Sequence, residues 1–414
     1  MGTQALCTEY DLEEEDPFFT SDVEKVGRSR NTYEHQLRKR RLVLGVAIGV
    51  GSVALVALII GLAWAMGHRK LDYICPSAYD TTRPNLVFFV VGDWGRSGNA
   101  NQRRVARLMG DVAECLPPEF IISTGDNFYP SGLSSPQDPL FDASFSQVYT
   151  GPRMQVPWYA VMGNHDYGDN VDASLLNSGR CLAAPPSAEA CTSRCCISPW
   201  WQTVPDLAAR DLRWNATMGG VLTRRFKLGV AGTLDILFMD TNPFIQSYQN
   251  RSWSSFLRGV SSQDSQAIQA QLQTQLNASV ASGSSWRLVV GHHPVRSYGK
   301  HCMEDDKNNC DDMQFMRPWL RSYRVAAYIN GHEHDQQLLK YPEDQVYYVV
   351  SGAGSDTREG EFDSLLPEKR ANALFLSDAQ GFLAVVFAGG TMRLHFYTIR
   401  QRGPAYTATV NRPA

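Results

Sequence analysis

Five apolar runs in this chain end the same way, and that repetition constrains the fold more than any other feature. Leu86 to Val91 leads into Gly92-Asp93-Trp94-Gly95, and Phe120 to Ser123 into Gly125-Asp126-Asn127-Phe128-Tyr129. Trp158 to Met162 leads into Gly163-Asn164-His165-Asp166, and Trp286 to Val290 into Gly291-His292-His293-Pro294. Val325 to Ile329 leads into Asn330-Gly331-His332-Glu333-His334. Short apolar runs bounded by glycine predict buried strands. Each ending alone reads as a turn or a helix cap, because Gly, Asp and Asn favour both. Together they put carboxylates, an amide and imidazoles just past strand carboxyl ends, where open α/β sheets collect ligands. His332 and His334 alternate around Glu333, so an extended segment would turn both imidazoles to one side.

The rest of the region fits around those strands. Gln102 to Cys115 and Gln263 to Ala281 have helical spacing, Leu234 to Met239 and Val346 to Val350 read as further strands, and the runs after Phe375 read as hairpins. This alternation predicts an α/β domain with mixed sheets. Asp169 to Ala216, rich in Cys, Pro, Ala and Ser, reads as a surface insertion. No linker divides residues 86–414, which are expected to form one domain.

Ahead of the domain lies a different kind of sequence. Leu42 to Met66 contains 25 residues and no charge. About 20 apolar residues span a bilayer as a helix. Arg38, Lys39, Arg40 and Arg41 precede the run, and only Arg69 and Lys70 follow closely. The positive-inside rule then keeps the N-terminus cytoplasmic and exports the rest. The expected order is a polar tail (1–41), a transmembrane signal-anchor helix (42–66), a short stalk (67–85) and an exported domain (86–414). That is a single-pass type II arrangement, with the domain outside the cell or in the endolysosomal or secretory lumen. Gly45 and Gly49 form a GxxxG that suggests a weak homodimer. Eight of the nine cysteines follow the apolar run, as expected of disulfides in an oxidising compartment, although Cys115, ending a helical stretch, fits a free buried thiol. Sequons at Asn215, Asn250 and Asn277 suit a glycoprotein. A net charge of -3 gives no support to nucleic-acid binding.

The ordered motifs GDWG, GDNFY, GNHD, GHHP and GHEH resemble those of the calcineurin-like metallophosphoesterases, and the tyrosine of GDNFY resembles the purple acid phosphatases, also called tartrate-resistant acid phosphatases. The resemblance runs from about Leu86 to Thr398. It implies a four-layer α/β/β/α sandwich with mixed sheets and a dinuclear site. Asp93, Tyr129 and His334 match ligands of Fe(III). Asn164, His292 and His332 match ligands of a divalent metal, Fe(II), Zn or Mn, and Asp126 matches a bridge between the two. A phenolate and carboxylates are hard donors suited to Fe(III), and imidazoles suit the softer divalent ions. His165 and His301 match catalytic histidines beside the substrate. The implied reaction is hydrolysis of phosphomonoesters at acid pH. Two rivals stand beside it. A Zn or Mn phosphodiesterase or nucleotide hydrolase of the same superfamily would lack the Tyr129 phenolate, and a catalytically inactive surface binding protein would have no need of the intact ligand set. Asn127, Asp240 and the turn Ser351 to Gly354 are expected to shape the structure. His293 stands where an aromatic residue is common, and the acidic loop Glu304 to Asp306 is expected to border the site mouth.

Overall fold

The computed structural model describes residues 35–61 (apart from 43, 47, 48 and 50), 84–178, 191, 196–303 and 308–413. The chain divides into two units, Met1–Arg69 and Lys70–Ala414. In the first, a helix runs from His35 to Gly61, 27 residues with a mean hydropathy of 2.7 over its most apolar window and no burial. It is long and apolar enough to cross a membrane. The N-terminal tail before His35, the last residues of the apolar run (62–66) and most of the stalk lie outside the described residues.

The second unit holds two seven-stranded sheets. The strands are β1 (Leu86–Val91), β2 (Phe120–Ser123), β3 (Trp158–Val161), β4 (Trp214–Thr217), β5 (Val221–Lys227), β6 (Thr233–Met239) and β7 (Trp286–Val290), then β8 (Ala327–Asn330), β9 (Gln336–Lys340), β10 (Tyr347–Ser351), β11 (Ala373–Ser377), β12 (Gly381–Ala388), β13 (Thr391–Thr398) and β14 (Pro404–Asn411). Sheet one has the order β14-β13-β12-β1-β2-β3-β4, and sheet two β11-β9-β10-β8-β7-β6-β5. In sheet one β1 to β4 are parallel, and β1 meets β12 antiparallel. In sheet two β6, β7, β8 and β10 are parallel, and the outer strands are antiparallel. Parallel neighbours point their carboxyl ends the same way, which brings the loops after β1, β2 and β3 to one rim of sheet one.

Strand alternation explains the layers. Phe88, Val90, Phe120 and Ile122 of sheet one pack with Ile236, Phe238, Leu288 and Val290 of sheet two in a core between the sheets. The other face of sheet one, with Phe89, Val91 and Ile121, meets helix Ala100–Ala113 through Val105, Met109 and Val112. The other face of sheet two, with Leu237 and Val289, meets helix Ser265–Ala281 through Ile268, Leu272 and Leu276. The result is the expected α/β/β/α sandwich.

Two expectations need correction. Asp169 to Ala216 is not a surface insertion throughout: Ile197, Trp201, Leu207 and Trp214 are buried, and β4 is the edge strand of sheet one beside β3. Trp214 packs edge-to-face against Trp94, Phe141 and Phe145 and tilted against Phe128, and an aromatic nest of this kind assembles from residues far apart in sequence. Cys115 is not a free thiol but disulfide-bonded. Disulfides also join Cys191 to Cys196 and Cys302 to Cys310. Cys7, Cys75, Cys181 and Cys195 lie outside the described residues.

Candidate metal centre

The strand ends converge because the backbone bends sharply there. Asp93, Asp126 and His332 all have positive φ, at 59°, 52° and 69°. A side chain in this left-handed region is uncommon and costs about 1 kcal/mol or more. The bend at His332 means that the GHEH segment is not extended, as the alternation of its side chains suggested. Its two histidines reach different parts of the site instead. Neighbouring glycines leave the room required. A Cβ on Gly163 would stand 2.1 Å from Asp126 Oδ1, and one on Gly331 would stand 2.5 Å from Asp93 Oδ2. Hydrogen bonds then tie one sheet to the other. The His332 N–H donates to Asp93 Oδ2 at 3.0 Å, and His292 Nδ1 meets the Thr124 carbonyl at 2.8 Å.

The candidate donors form two groups. In one, the Tyr129 oxygen lies 2.9 Å from Asp126 Oδ2, 3.1 Å from His334 Nε2 and 3.3 Å from Asp93 Oδ1. In the other, Asn164 Oδ1, His292 Nε2 and His332 Nδ1 are each 3.1 Å from the other two. Asp126 Oδ1 stands 3.6 Å from His292 Nε2, so this carboxylate turns one oxygen to each group. Ligand atoms about 2.1 Å from one ion lie roughly 3 to 3.4 Å apart. The second group has that spacing throughout, and the first has it around the Tyr129 oxygen, with His334 Nε2 and Asp93 Oδ1 3.6 Å apart. With Nδ1–H of His292 given to the Thr124 carbonyl, His292 Nε2 and Asn164 Oδ1 face each other lone pair to lone pair at 3.1 Å, an arrangement that a cation relieves. His293 lies close by but is fully engaged, with Nδ1 on Thr241 and Nε2 on Tyr248.

The electrostatics point the same way. Burial first, and the Asp126 charge second, push the Asp93 carboxyl well above its usual range. Burial, Asp126 and Asp93 do the same to the Tyr129 phenol. Burial holds the imidazoles of His292, His332 and His334 below their usual range, so they are neutral and can donate lone pairs. The protein has gathered acids that resist ionising and bases that resist protonation, and a cation reverses the first resistance while using the second. Orientation is fixed from behind. With Nδ1–H donated to Thr124, His292 presents Nε2. His332 turns Nδ1 toward the group, but its Nε2 accepts from the Asn309 amide N–H at 2.8 Å, which puts the ring proton on Nδ1. Binding a cation there requires the proton to move to Nε2 and the Asn309 amide to turn its oxygen toward it.

Known proteins are similar to this chain over most of its length. The calcineurin-like phosphoesterase family matches residues 86–336. Purple acid phosphatase 3 of Arabidopsis thaliana is 34% identical over 331 residues, covering 78% of this chain and 76% of the relative. The chain belongs to the purple acid phosphatase family. Tartrate-resistant acid phosphatase type 5 of Homo sapiens is 30% identical over 292 residues, 68% of this chain and 77% of its own length. Among solved structures, GAP50, the anchor in the inner membrane complex of Plasmodium, superposes with a TM-score of 0.56 at 19% identity, covering 80% of this chain and 89% of that one. The yellow lupin purple acid phosphatase PPD1 follows with a TM-score of 0.53 at 11% identity, covering 80% and 55%. These two show the fold alone. Family membership makes the chain an acid phosphatase of the metallophosphoesterase class, and the family implies a dinuclear metal centre.

The substrate side of this purple acid phosphatase is a cavity of about 520 Å³ over the donors, lined by Asp126, Tyr129, Asn164, His332 and His334. His165 and His301 both line it, with side chains 13% and 19% exposed. His165 Nδ1 is held by the Pro130 carbonyl at 2.5 Å, which leaves Nε2 facing the cavity, 3.9 Å from Asp126 Oδ2. Asn127 and Asp240 have the structural roles expected of them: Asn127 donates to Val161 and Asp166, and Asp240 accepts from Tyr167 and Gly219. The acidic loop Glu304 to Asp306 lies outside the described residues.

Sequence reasoning missed several residues here. Arg96, Arg251 and Arg358 line the cavity, and the Arg96 guanidinium lies 3.7 Å over the Tyr129 ring. Arg96 directly follows GDWG and was overlooked beside it, Arg251 lies inside the Asn250 sequon, which says nothing of a cavity, and Arg358 has no motif around it. Asp166 accepts from the N–H groups of Asn127, Phe128 and Gly163, clamping the loops after β2 and β3, and burial together with Asp126 raises its carboxyl to about 7. Its place inside GNHD was a signal that could have found it.

Proposed function

We propose that the chain is a membrane-anchored, exported acid phosphatase that hydrolyses phosphomonoesters at a dinuclear Fe(III)–divalent site. The observation that carries this reading is the sharing of Asp126 between two donor groups of unlike chemistry. Asp93, Tyr129 and His334 would hold Fe(III), Asn164, His292 and His332 would hold Fe(II), Zn or Mn, and Asp126 would bridge them. When bound, two such cations polarise the phosphoryl oxygens, acidify a water and offset charge in an in-line displacement.

The remaining work belongs to the chain. Arg96, Arg251 and Arg358 offer guanidinium donors to the phosphoryl oxygens. His165, with its Nδ1–H held by the Pro130 carbonyl, turns Nε2 toward the leaving oxygen; in its imidazolium form it gives the Nε2 proton to that oxygen and is left as the neutral ring. His301, beside His332, lines the same cavity and acts on the same substrate. Tyr129 speaks against the Zn or Mn phosphodiesterase reading, and the complete donor set speaks against an inactive binding protein.

The helix His35–Gly61 would be the anchor, with the basic residues Arg38 to Arg41 in the cytoplasm and residues 86–414 as one exported catalytic domain. The disulfides fit that compartment. One set of measurements on the full-length chain tests the reading: phosphate release from mono- and diesters at acid pH, and protease access in intact cells. Monoester hydrolysis with a protected N-terminus is expected. Preference for diesters, or a protease-accessible N-terminus on the outer face, would overturn it.

A further inference from the structure

Glu333 lies between two candidate ligands, yet it lines no part of the cavity and is fully buried. Both of its oxygens are spent on the residue across the loop. Oε1 accepts the backbone N–H of His301 at 2.9 Å, and Oε2 meets His301 Nδ1 at 2.9 Å. The loop is shaped to receive this carboxylate. A Cβ on Gly299 would stand 2.5 Å from Glu333 Cδ, so only glycine lets the two approach. The neighbouring Lys300 N–H is held by Glu361 at 2.9 Å, and Arg358 bridges the two glutamates at 3.4 and 3.3 Å. The disulfide Cys302–Cys310 closes the same loop, and its two halves directly follow the cavity residues His301 and Asn309.

We propose that Glu333 is the positioning residue for His301: it grips the loop by the backbone and the ring by Nδ1, and so aims Nε2 at the substrate. A single carboxylate that takes two donors from one residue fixes both the ring's place and its tautomer. Gln at 333 keeps one acceptor and offers an NH₂ where the other was, so whichever way the amide turns, either the His301 ring or its backbone N–H loses its partner and the grip on the ring loosens. This inference rests on the reading of His301 as a residue that acts on substrate.

The test is a double-mutant cycle on the full-length chain, with Glu333→Gln, His301→Ala and both together. The kcat and KM are measured on a nitrophenyl ester and an alkyl phosphomonoester, and iron and divalent metal are counted in each protein. Glu333→Gln is expected to lower kcat on the alkyl ester roughly 10–100-fold, with a smaller loss on the nitrophenyl ester and unchanged metal content. In the His301→Ala background the same change should cost nothing further. If Glu333→Gln does not accumulate, Glu333→Asp, too short to reach both donors, should give the same pattern. An equal loss in both backgrounds, or loss of metal with equal loss on both esters, would overturn the proposal and assign Glu333 to the support of His332 and His334. A His301→Ala protein with wild-type rates would overturn it through its premise. Wild-type metal content and activity report separately on the metal reading.

Discussion

The two sheets contribute different chemistry to one site. Every proposed oxygen donor, Asp93, Asp126, Tyr129 and Asn164, follows a strand of sheet one. Every proposed nitrogen donor, His292, His332 and His334, follows a strand of sheet two. Neither sheet alone offers a coordination set. The site exists only where the sheets dock, which makes the apolar core between them part of the metal chemistry. The cross-sheet bonds from His332 to Asp93 and from His292 to Thr124 hold the two halves in register.

Asp126→Asn should break this arrangement most severely. It weakens the one oxygen donor that faces both groups, so both metals should fall together. Activity should drop at least about 10³-fold, because several kcal/mol of transition-state stabilisation goes with the metals. Metal analysis beside turnover checks this, and loss of one metal alone would show that Asp126 does not bridge.

Phe88→Ala should act at a distance. Phe88 is fully buried between the sheets and stacks on Phe120 at 4.8 Å. Its truncation should cost about 3 kcal/mol of stability, the low end for a buried aromatic. Leu272→Ala, in the helix that covers the outer face of sheet two, should cost a similar amount. Thermal unfolding with metal retention separates the two: Phe88→Ala should release metal before global unfolding, and Leu272→Ala should not.

His165→Ala sharpens the comparison by removing a cavity group that is not a proposed donor. Both metals should remain, and turnover of an alkyl ester should fall about 10²-fold, with a smaller loss for nitrophenyl phosphate, whose leaving group needs little protonation. Loss of metal would make His165 a ligand.

The smallest expected effect lies in sheet one away from the strand ends. Burial, helped by Arg393, lowers the β13 residue His395 to about 4 from an ordinary 6.5. The folded state therefore binds fewer protons than the unfolded one between those values. Stability should be unaffected above pH 6.5, fall as pH drops through the window and level off below 4. The loss is about 2 kcal/mol by pH 5. His395→Gln should flatten that slope in thermal melts without changing metal content.

How much was legible follows from what each element needs. LVFFVV and WRLVV are buried on both faces and read as strands without help. The strand QQLLK does not, because its buried glutamines donate to groups far off in sequence or outside the strand: Gln336 to the Tyr397 carbonyl, and Gln337 to Asp335 and Ser297. VLTRRFK hides its edge strand behind two arginines, one of them paired with Asp235. The candidate donors were legible because each directly follows a strand-end glycine or stands within a few residues of one. Arg358 and Asn309 were not, since only the closed fold brings those loops over the donors, whereas Arg96 stood directly after GDWG and was passed over. Glu333 stood in plain view inside GHEH, but its partner His301 was 32 residues away.

The most direct test of the unlike halves is a visible spectrum with metal analysis, on purified full-length protein and on Tyr129→Phe. The expected result is one iron and one divalent metal per chain, with a phenolate-to-iron absorption band that Tyr129→Phe abolishes. A colourless wild-type protein holding two zinc ions, or a band that survives in Tyr129→Phe, would contradict the assignment of the oxygen-rich group to Fe(III).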